Sequence, residues 1–170
     1  TLVVDKRGSL TEGRPNVVAV DPVGGTAKDE LLRFAAALER SSEHPLAAAI
    51  VQGAQERGVE LAKIADFQSV TGKGVQGKVA GREVALGNLA HMQEIGVQTG
   101  DLLQKADGLR AEGQTVMFLS VDRKSAGLIG VADPINESTP EAIRQLHAVG
   151  IRVVMLTGDS RRTAEAVASK

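Results

Sequence analysis

Apolar residues recur every three or four positions in several stretches of the chain, a spacing that places them on one face of an α-helix. The spacing predicts one helix over about residues 27–40 and a second over about residues 45–57, which Gly58 ends. A third begins at Asn88, a residue type that suits a helix N-cap, and a fourth ends at Gly113. Because the first two are amphipathic and adjacent, we expect them to pair on one side of a sheet.

Elsewhere, apolar residues alternate or form short β-branched runs, which is typical of strands. One predicted hairpin turns at Ala80-Gly81-Arg82, and a second joins residues 116–121 to residues 126–131. Two short runs, residues 2–4 and 151–156, are expected to be buried strands, each followed by a loop with hydroxyl, glycine and carboxylate side chains. Their similarity indicates that they belong to the same parallel sheet.

These elements predict an α/β (α+β) fold with two parts. An antiparallel sheet flanked by helix pairs, residues 15–132, is inserted into a truncated parallel, Rossmann-like sheet made by residues 1–14 and 133–170. Both ends of the sequence fall within predicted elements, so we expect an excerpt of a longer protein.

Composition narrows the possible functions. The 170 residues are 42% hydrophobic, with a net charge of −1 and 2% aromatic residues, which disfavours nucleic-acid binding. The absence of cysteine excludes disulfides and thiol chemistry. No apolar run approaches the roughly 18 residues of a membrane span, so we expect a soluble piece without direct membrane contact. Of the histidines, His91 is expected to be exposed or hydrogen-bonded and His147 partly buried.

Asp5 stands at the end of the first predicted strand and is followed by Lys6 and a loop rich in glycine and hydroxyl residues. Open α/β sheets place reactive groups at such strand ends. The carboxylate of Asp5 is therefore a candidate nucleophile toward phosphorus, with Lys6 countering charge. Thr157 begins a similar loop before the last helix, whose N-terminus favours an anion. A turn or cap role for Asp5 is the alternative, which this window alone favours.

His44 lies at the predicted N-terminus of the second helix, close in sequence to Glu39 and Glu43. A neutral imidazole there can stack on a flat heterocycle or hydrogen-bond it, and a neighbouring carboxylate would fix its tautomer. The simpler interpretation, which these residues alone favour, is that Ser42 or His44 only caps the helix.

Residues 71–77 read Thr-Gly-Lys-Gly-Val-Gln-Gly and contain the pattern G-x-G-x-x-G. A dinucleotide fingerprint or a P-loop must open a helix, so that phosphate meets the helix N-terminus, whereas this run leads into a hairpin. Glycines within a strand mark either a bulge or a place where a ligand approaches the backbone, and both interpretations stay open.

Together these motifs resemble the cytosolic nucleotide-binding and phosphorylation region of P-type ATPases of the heavy-metal branch. Residues 5–11 are similar to the phosphorylation sequence DKTGTLT, residues 42–46 match the SEHPL hallmark of that branch, and residues 157–159 match TGD. Gly72-x-Gly74 and Gly87-Asn88 match the other nucleotide-site motifs. The resemblance covers nearly the whole chain, with its motifs in the family's order.

The resemblance implies a pump in which ATP phosphorylates Asp5 to drive metal export, of copper or silver rather than zinc. Lys6 and Thr157 would act in catalysis, and Mg²⁺ would bind Asp5 and the backbone carbonyl of Arg7. The residues implied to bind the nucleotide are Glu39, Ser42, Glu43, His44, Gly72, Gly74, Val75, Gly87 and Asn88. The partners would be the rest of the ATPase, namely membrane helices, the remaining phosphorylation domain and an actuator domain, with this region on the cytoplasmic side.

Two departures from the family pattern stand out. Arg7 occupies the place of the first threonine of DKTGTLT, and Ser9 that of the second. Arg7 keeps the backbone carbonyl but loses the hydroxyl and adds a bulky cation, so we expect phosphorylation to be weakened or lost, unless Arg7 is itself an altered position. The family's later lysine and GDGxND magnesium motif would lie beyond Lys170, so we expect nucleotide binding with little turnover.

Two alternatives compete with this interpretation. A phosphatase of the haloacid dehalogenase type shares the strand–Asp loop, but such enzymes usually carry a second aspartate two residues later as general acid and base. This chain has Arg7 there, which does not deprotonate. The other alternative is a nucleotide-binding module without chemistry. Phosphoenzyme trapping on a complete chain would separate this module from an ATPase, and hydrolysis of simple phosphate esters would identify a phosphatase.

Overall fold

The computed structural model describes residues 1–169. Its strands are β1 (Leu2–Asp5), β2 (Asn16–Pro22), β3 (Ile64–Val70), β4 (Gly74–Val79), β5 (Arg82–Gly87), β6 (Thr115–Val121), β7 (Lys124–Ala132) and β8 (Val153–Leu156). Its helices are α1 (Lys28–Glu39), α2 (Ala47–Glu56), α3 (Leu89–Glu94), α4 (Leu102–Ala111), α5 (Thr139–Ala148) and α6 (Arg161–Ala168). Within residues 1–169 no helix has both the length and the apolar character to span a bilayer.

Six strands form an antiparallel sheet in the order β2-β7-β6-β5-β4-β3, which together with α1 to α4 is called here the antiparallel unit. Strand β6 shows how helices cover both of its faces. Met117 and Leu119 belong to the hydrophobic core that includes α1 and α2, whereas Val116 and Phe118 belong to the core that includes α3 and α4. Alternate residues of a strand point to opposite faces, so one apolar run supplies both cores. The predicted pairing of α1 with α2 on one side of the sheet is confirmed.

Strands β1 and β8 form a separate parallel sheet, which with α5 and α6 is called the parallel unit. Leu2 lies opposite Val153 and Asp5 opposite Leu156, so the first and last parts of the chain pair as predicted. The expectation that both strands are buried is wrong, because Val3 is 54% and Leu156 57% exposed. With two strands, and with α5 packed against β8, much of the apolar surface of this sheet faces solvent.

The expectation that His147 is partly buried is wrong, and so is exposure as an alternative for His91. His147 is exposed in the last turn of α5. His91, on α3, is only 1% exposed, because its ring packs against the backbone of Gly87. Among the described residues neither ring nitrogen finds a hydrogen-bond partner of ordinary geometry, although the backbone of Val75 is near enough to act on the ring. Burial lowers the pKa of His91, so the ring is neutral.

Candidate active site

Two neighbouring cavities lie where the antiparallel unit meets the loops that follow β1 and β8. The large cavity, of about 600 Å³, is lined by all the residues that the sequence implies for nucleotide binding: Glu39, Ser42, Glu43, His44, Gly72, Gly74, Val75, Gly87 and Asn88. The small cavity, of about 370 Å³, is lined by Asp5, Lys6, Arg7 and Thr157. His44, Thr115 and Asp159 line both cavities. The fold therefore brings the two implied sets of residues into one continuous region.

Glu39, the last residue of α1, places a carboxylate in the wall of the large cavity although it is only 3% exposed. Its Oε2 has no hydrogen-bond partner among the described residues. Burial raises the pKa of Glu39, and a hydrogen bond with Ser42 opposes this shift in part. A buried acceptor without a partner costs free energy, so it suits a ligand that brings an N–H donor.

The turn before α2 fixes the tautomer of His44. Its Nδ1 accepts a hydrogen bond from the backbone N–H of Leu46 over 3.2 Å, so the neutral ring carries its proton on Nε2. The expectation that a carboxylate fixes the tautomer is therefore wrong. Ser42 Oγ also accepts, from the backbone N–H of His44 over 3.0 Å, so both side chains hold the turn before α2. Helix α2 itself begins after Leu46 without a side-chain cap, so the simpler interpretation that Ser42 or His44 caps this helix is wrong.

The charge state of His44 follows from its surroundings. Although His44 is an exposed residue, partial burial in the cavity wall lowers its pKa, and the positive charge of Arg7 lowers it further. Both effects disfavour the imidazolium. The ring therefore keeps one N–H donor and a neutral π-face that a heterocycle can meet.

Gly74 and Gly87 lie opposite each other on β4 and β5, and both line the large cavity. A Cβ on Gly74 would overlap the carbonyl oxygen of Leu86, and one on Gly87 would overlap the carbonyl oxygen of Lys73. The register irregularity between β3 and β4 falls at residues 65–68, opposite Gly77, so the bulge interpretation fits that glycine. At Gly74 and Gly87 the space of a Cβ is filled by backbone of the protein itself, so these two glycines allow β4 and β5 to approach closely.

Asn88 fastens the glycine loop to the start of α3. Its side-chain amide donates to the carbonyl of Gly72 over 2.9 Å, while its Oδ1 accepts from the backbone N–H of His91 over 3.0 Å. The predicted N-cap role of Asn88 is confirmed. One side chain therefore fixes the position of the loop relative to the neighbouring helix.

Asp5 is brought beside Thr157 by the parallel register, because Leu156, its partner on β8, directly precedes Thr157. Asp5 Oδ1 accepts a hydrogen bond from the backbone N–H of Arg7 over 3.1 Å, which leaves the other carboxylate oxygen available. The loop that follows is held by Thr11, which is fully buried and whose hydroxyl donates to Asp133 Oδ2 over 2.6 Å. The backbone around the carboxylate is therefore fixed from two sides.

Asp159 connects the two units through one carboxylate. It forms an ion pair with Lys6, and it accepts hydrogen bonds from the hydroxyls of Thr157 at 2.9 Å and Thr115 at 3.0 Å. Burial alone would raise the pKa of Asp159, but the Lys6 ammonium and the two hydroxyls outweigh burial and hold that pKa below its usual range. The sequence pointed to Asp159 only as part of TGD, and Thr115 carried no local signal because 42 residues separate it from Thr157.

The small cavity is lined by the two residues that the resemblance implies for magnesium, Asp5 and Arg7. Asp5 Oδ1 accepts from the backbone N–H of Arg7, so the second oxygen of the carboxylate is the candidate donor. Within residues 1–169 no group of three acidic or histidine side chains forms around them. Mg²⁺ takes octahedral oxygen ligands and commonly keeps waters and phosphate oxygens among them, so these two residues fit a site that phosphate completes.

The whole chain, residues 1–170, matches the family described as haloacid dehalogenase-like hydrolases, and it belongs to that family. Within that family it corresponds to the nucleotide-binding and phosphorylation region of heavy-metal P-type ATPases. A copper-exporting P-type ATPase from Legionella pneumophila is 53% identical over 168 residues, which cover 99% of this chain and 23% of that protein. The chain thus spans about a quarter of the length of this relative.

Two solved structures show the same fold. A zinc-transporting PIB-type ATPase in the E2.Pi state is 32% identical with a TM-score of 0.77, over 99% of this chain and 27% of that one. The N-domain of HMA6, a copper-transporting P-type ATPase, is 27% identical with a TM-score of 0.59, over 70% of this chain and 99% of that one. The predicted combination of an antiparallel sheet with a small parallel sheet is confirmed.

Proposed function

We propose that this chain is the ATP-binding and phosphate-accepting region of a P-type ATPase that exports copper or silver and that it lies on the cytoplasmic side of the membrane. The observation that carries the proposal is the wall of the large cavity. It combines the unpartnered carboxylate oxygen of Glu39, the free N–H of His44 and the glycine strand at Gly74, which lines the cavity without a side chain. Adenine offers an exocyclic amine, ring acceptors and a flat face, which these three features match.

The direction of the bound nucleotide follows from the residues shared by both cavities. With adenine near Glu39 and His44, the phosphate chain would pass Thr115 and Asp159 toward Asp5. The free oxygen of Asp5 would attack the γ-phosphorus, forming an acyl phosphate while the bond to the β–γ bridging oxygen breaks and its electron pair leaves with ADP.

The residues around Asp5 would stabilise that transfer. Lys6, held by Asp159, would offset negative charge, and the hydroxyl of Thr157 would donate to a transferred oxygen. Magnesium, held by Asp5 and the carbonyl of Arg7 with phosphate oxygens, would supply further charge neutralisation. The partners of this region would be the remaining phosphorylation domain, the actuator domain and the membrane helices of the same ATPase.

The phosphatase alternative has less support than the pump. Arg7 follows Asp5 by two residues and lines the small cavity, so the position that would hold a general acid and base holds a guanidinium. An acyl phosphate formed there would lack a carboxylate to activate water and would persist. A long-lived acyl phosphate suits a pump, in which a conformational step consumes the phosphorylated intermediate.

Titration of the chain with ATP tests the proposal, by calorimetry and by NMR, with and without Mg²⁺. We expect saturable binding, with shifts concentrated at Glu39, His44, residues 72–75 and Asn88. His44→Gln should weaken the affinity without unfolding the chain, because glutamine loses the ring face but keeps an N–H donor. A folded wild-type chain that binds no ATP would overturn the proposal.

A further inference from the structure

Arg110 lines the large cavity, and its charge is opposite to that of most of the other charged residues that line it. It lies in the last turn of α4, and its side chain is 16% exposed. The guanidinium carbon lies 5.7 Å from the ring centroid of Phe118, a residue that is 1% exposed. Stacking on a buried aromatic ring limits the orientations that the guanidinium can take.

Of the two basic residues that line the large cavity, Arg110 is the one whose charge is held at the wall. The acidic residues of the lining are Glu39, Glu43 and Asp159, and the other basic one is Lys73. Lys73 pairs with Glu94 over 2.7 Å, and its side chain is 40% exposed, so its charge is directed to a surface partner. A nucleotide that carries several negative charges into this cavity needs a cation that is held at the wall.

Asp107 orients Arg110 without using up its donors. Within residues 1–169 the guanidinium of Arg110 donates one hydrogen bond, to Asp107 Oδ1 over 3.2 Å. Because a guanidinium has five N–H groups in a planar fork, a bidentate pair remains for an anion. Asp107 Oδ2 lies 3.2 Å from Arg162 of α6, so the same carboxylate ties Arg110 to the parallel unit.

We infer that Arg110 binds the phosphate chain of the nucleotide and so sets the preference of this site for ATP over adenosine. The inference rests on the proposed ATP site and adds to it the group that recognises phosphate. Arg110 lines the cavity together with Thr115 and Asp159, which also line the small cavity, so it stands on the path from adenine to Asp5. It is a positioning residue, because Asp5 and not Arg110 meets the reacting phosphorus.

The test compares the affinities of ATP, ADP, AMP and adenosine for the whole chain by calorimetry. Arg110→Gln should weaken ATP binding by roughly tenfold or more, with smaller losses for ADP and AMP and none for adenosine. The slope of ATP affinity against salt concentration should also fall, because one ionic contact is lost. Arg110→Lys should recover part of the affinity. Arg57→Gln, an exposed arginine after α2 and outside both cavities, removes the same charge and should change nothing.

Each outcome decides between the two claims. If wild type binds ATP and folded Arg110→Gln binds it equally well, the inference about Arg110 is overturned while the ATP site stands. An equal loss of ATP and adenosine by a folded variant would also overturn it, because phosphate is then not the group recognised. If Arg110→Gln unfolds, the Nε–H resonance of Arg110 in wild type decides: ATP should shift it and adenosine should not, and equal shifts would contradict the inference. A wild-type chain that binds no nucleotide overturns both claims.

Discussion

Thr115 Oγ1 donates a hydrogen bond to Asp159 Oδ1 over 3.0 Å, which joins the first residue of β6 to the loop after β8. Two further contacts, both made by residues of α6, cross between the same two units. The buried hydroxyl of Thr163 donates to the carbonyl of Gln114 over 3.0 Å, and Arg162 pairs with Asp107. Since Asp159 also holds Lys6 next to Asp5, one carboxylate links the contact between the two units to the surroundings of the nucleophile.

Thr115→Val should loosen this connection while keeping the shape of the side chain. A hydrogen bond to a charged group is worth about 1.5–3 kcal/mol when it is well shielded, so its loss should populate separated arrangements of the two units. Because the chain has no cysteine, two introduced cysteines, at Gln52 on α2 and Arg144 on α5, accept spin labels without background. Thr115→Val should give a longer mean distance between the two spin labels, with a broader distribution, than the parent chain does. Thr26→Val, outside both cavities, is the control, and identical distributions for all three chains would contradict the prediction.

Glu39→Gln should raise stability and lower ATP affinity at the same time. The folded-state pKa of Glu39 lies above its usual value of 4.5, so folding favours the protonated form. Wild type therefore loses stability as the pH rises from the unfolded pKa through the folded pKa, and the loss persists at neutral pH. Glutamine is neutral throughout, so the variant should be more stable at neutral pH, by about 1–3 kcal/mol. Thermal unfolding from about pH 4 to about pH 8 measures this difference.

The same variant makes a separate prediction for ligand binding. In wild type, ATP affinity should rise with pH as Glu39 ionises and becomes an acceptor for the adenine amine, and it should then level off. Glu39→Gln should show a lower affinity and a flatter dependence on pH. A variant that is destabilised, or that binds ATP as wild type does, would show that this carboxylate has a structural role.

Two glycine substitutions test whether the close approach of β4 and β5 matters. Gly74→Ala places a Cβ against the carbonyl oxygen of Leu86, so we expect destabilisation by about 1–3 kcal/mol and weaker ATP binding. Gly108→Ala is the matched control, because Gly108 lies within α4 with no atom near its Cβ position. It should stabilise the chain by about 0.5–1 kcal/mol. Denaturant unfolding of both variants measures the change in the free energy of unfolding, which should have opposite signs in the two variants. Equal changes would contradict the steric argument.

The sequence predicted those parts of the fold that local patterns control. Helices α1 and α2, the hairpin at Ala80-Gly81-Arg82 and the cap at Asn88 depend on nearby residues, and the structure has them. The meeting of Asp5 with Thr157 was also predictable, because both follow strands of one parallel sheet. Periodicity and turn chemistry were sufficient for these features.

Other parts depend on contacts that local patterns do not record. The apolar runs of β1 and β8 are typical of buried strands, yet how many neighbours cover a strand is a property of the whole sheet, and Val3 is exposed. The tautomer of His44 depends on the direction of one backbone N–H after Pro45. Arg110 and Thr115 reach the site only because α4 packs against both α6 and β6, which are far apart in the chain.

Arg7 is the departure from the phosphorylation motif with the most direct consequence. Arg7 lines the small cavity, and it stands at the sequence position where the family motif has a threonine. In an intact ATPase that carries this region, Arg7→Thr should raise the amount of acid-stable phosphoenzyme formed from labelled ATP, because the hydroxyl returns and the added cation leaves. Asp5→Asn should abolish the signal in either background, which identifies the acceptor. Equal amounts of phosphoenzyme with Arg7 and with threonine would show that this residue does not limit phosphorylation.

A second measurement tests the position of Arg7 without any turnover. Its positive charge is one of the two causes that lower the pKa of His44, after burial. A cation disfavours protonation of a nearby imidazole, so Arg7→Thr should move the pKa of His44 upward, toward its usual value of 6.5. NMR titration of the His44 ring in the chain itself follows this shift. Arg14→Thr removes a charge that lies outside both cavities and should leave the titration of His44 in place. If Arg7→Thr also leaves it in place, Arg7 does not act on the shared wall of the two cavities.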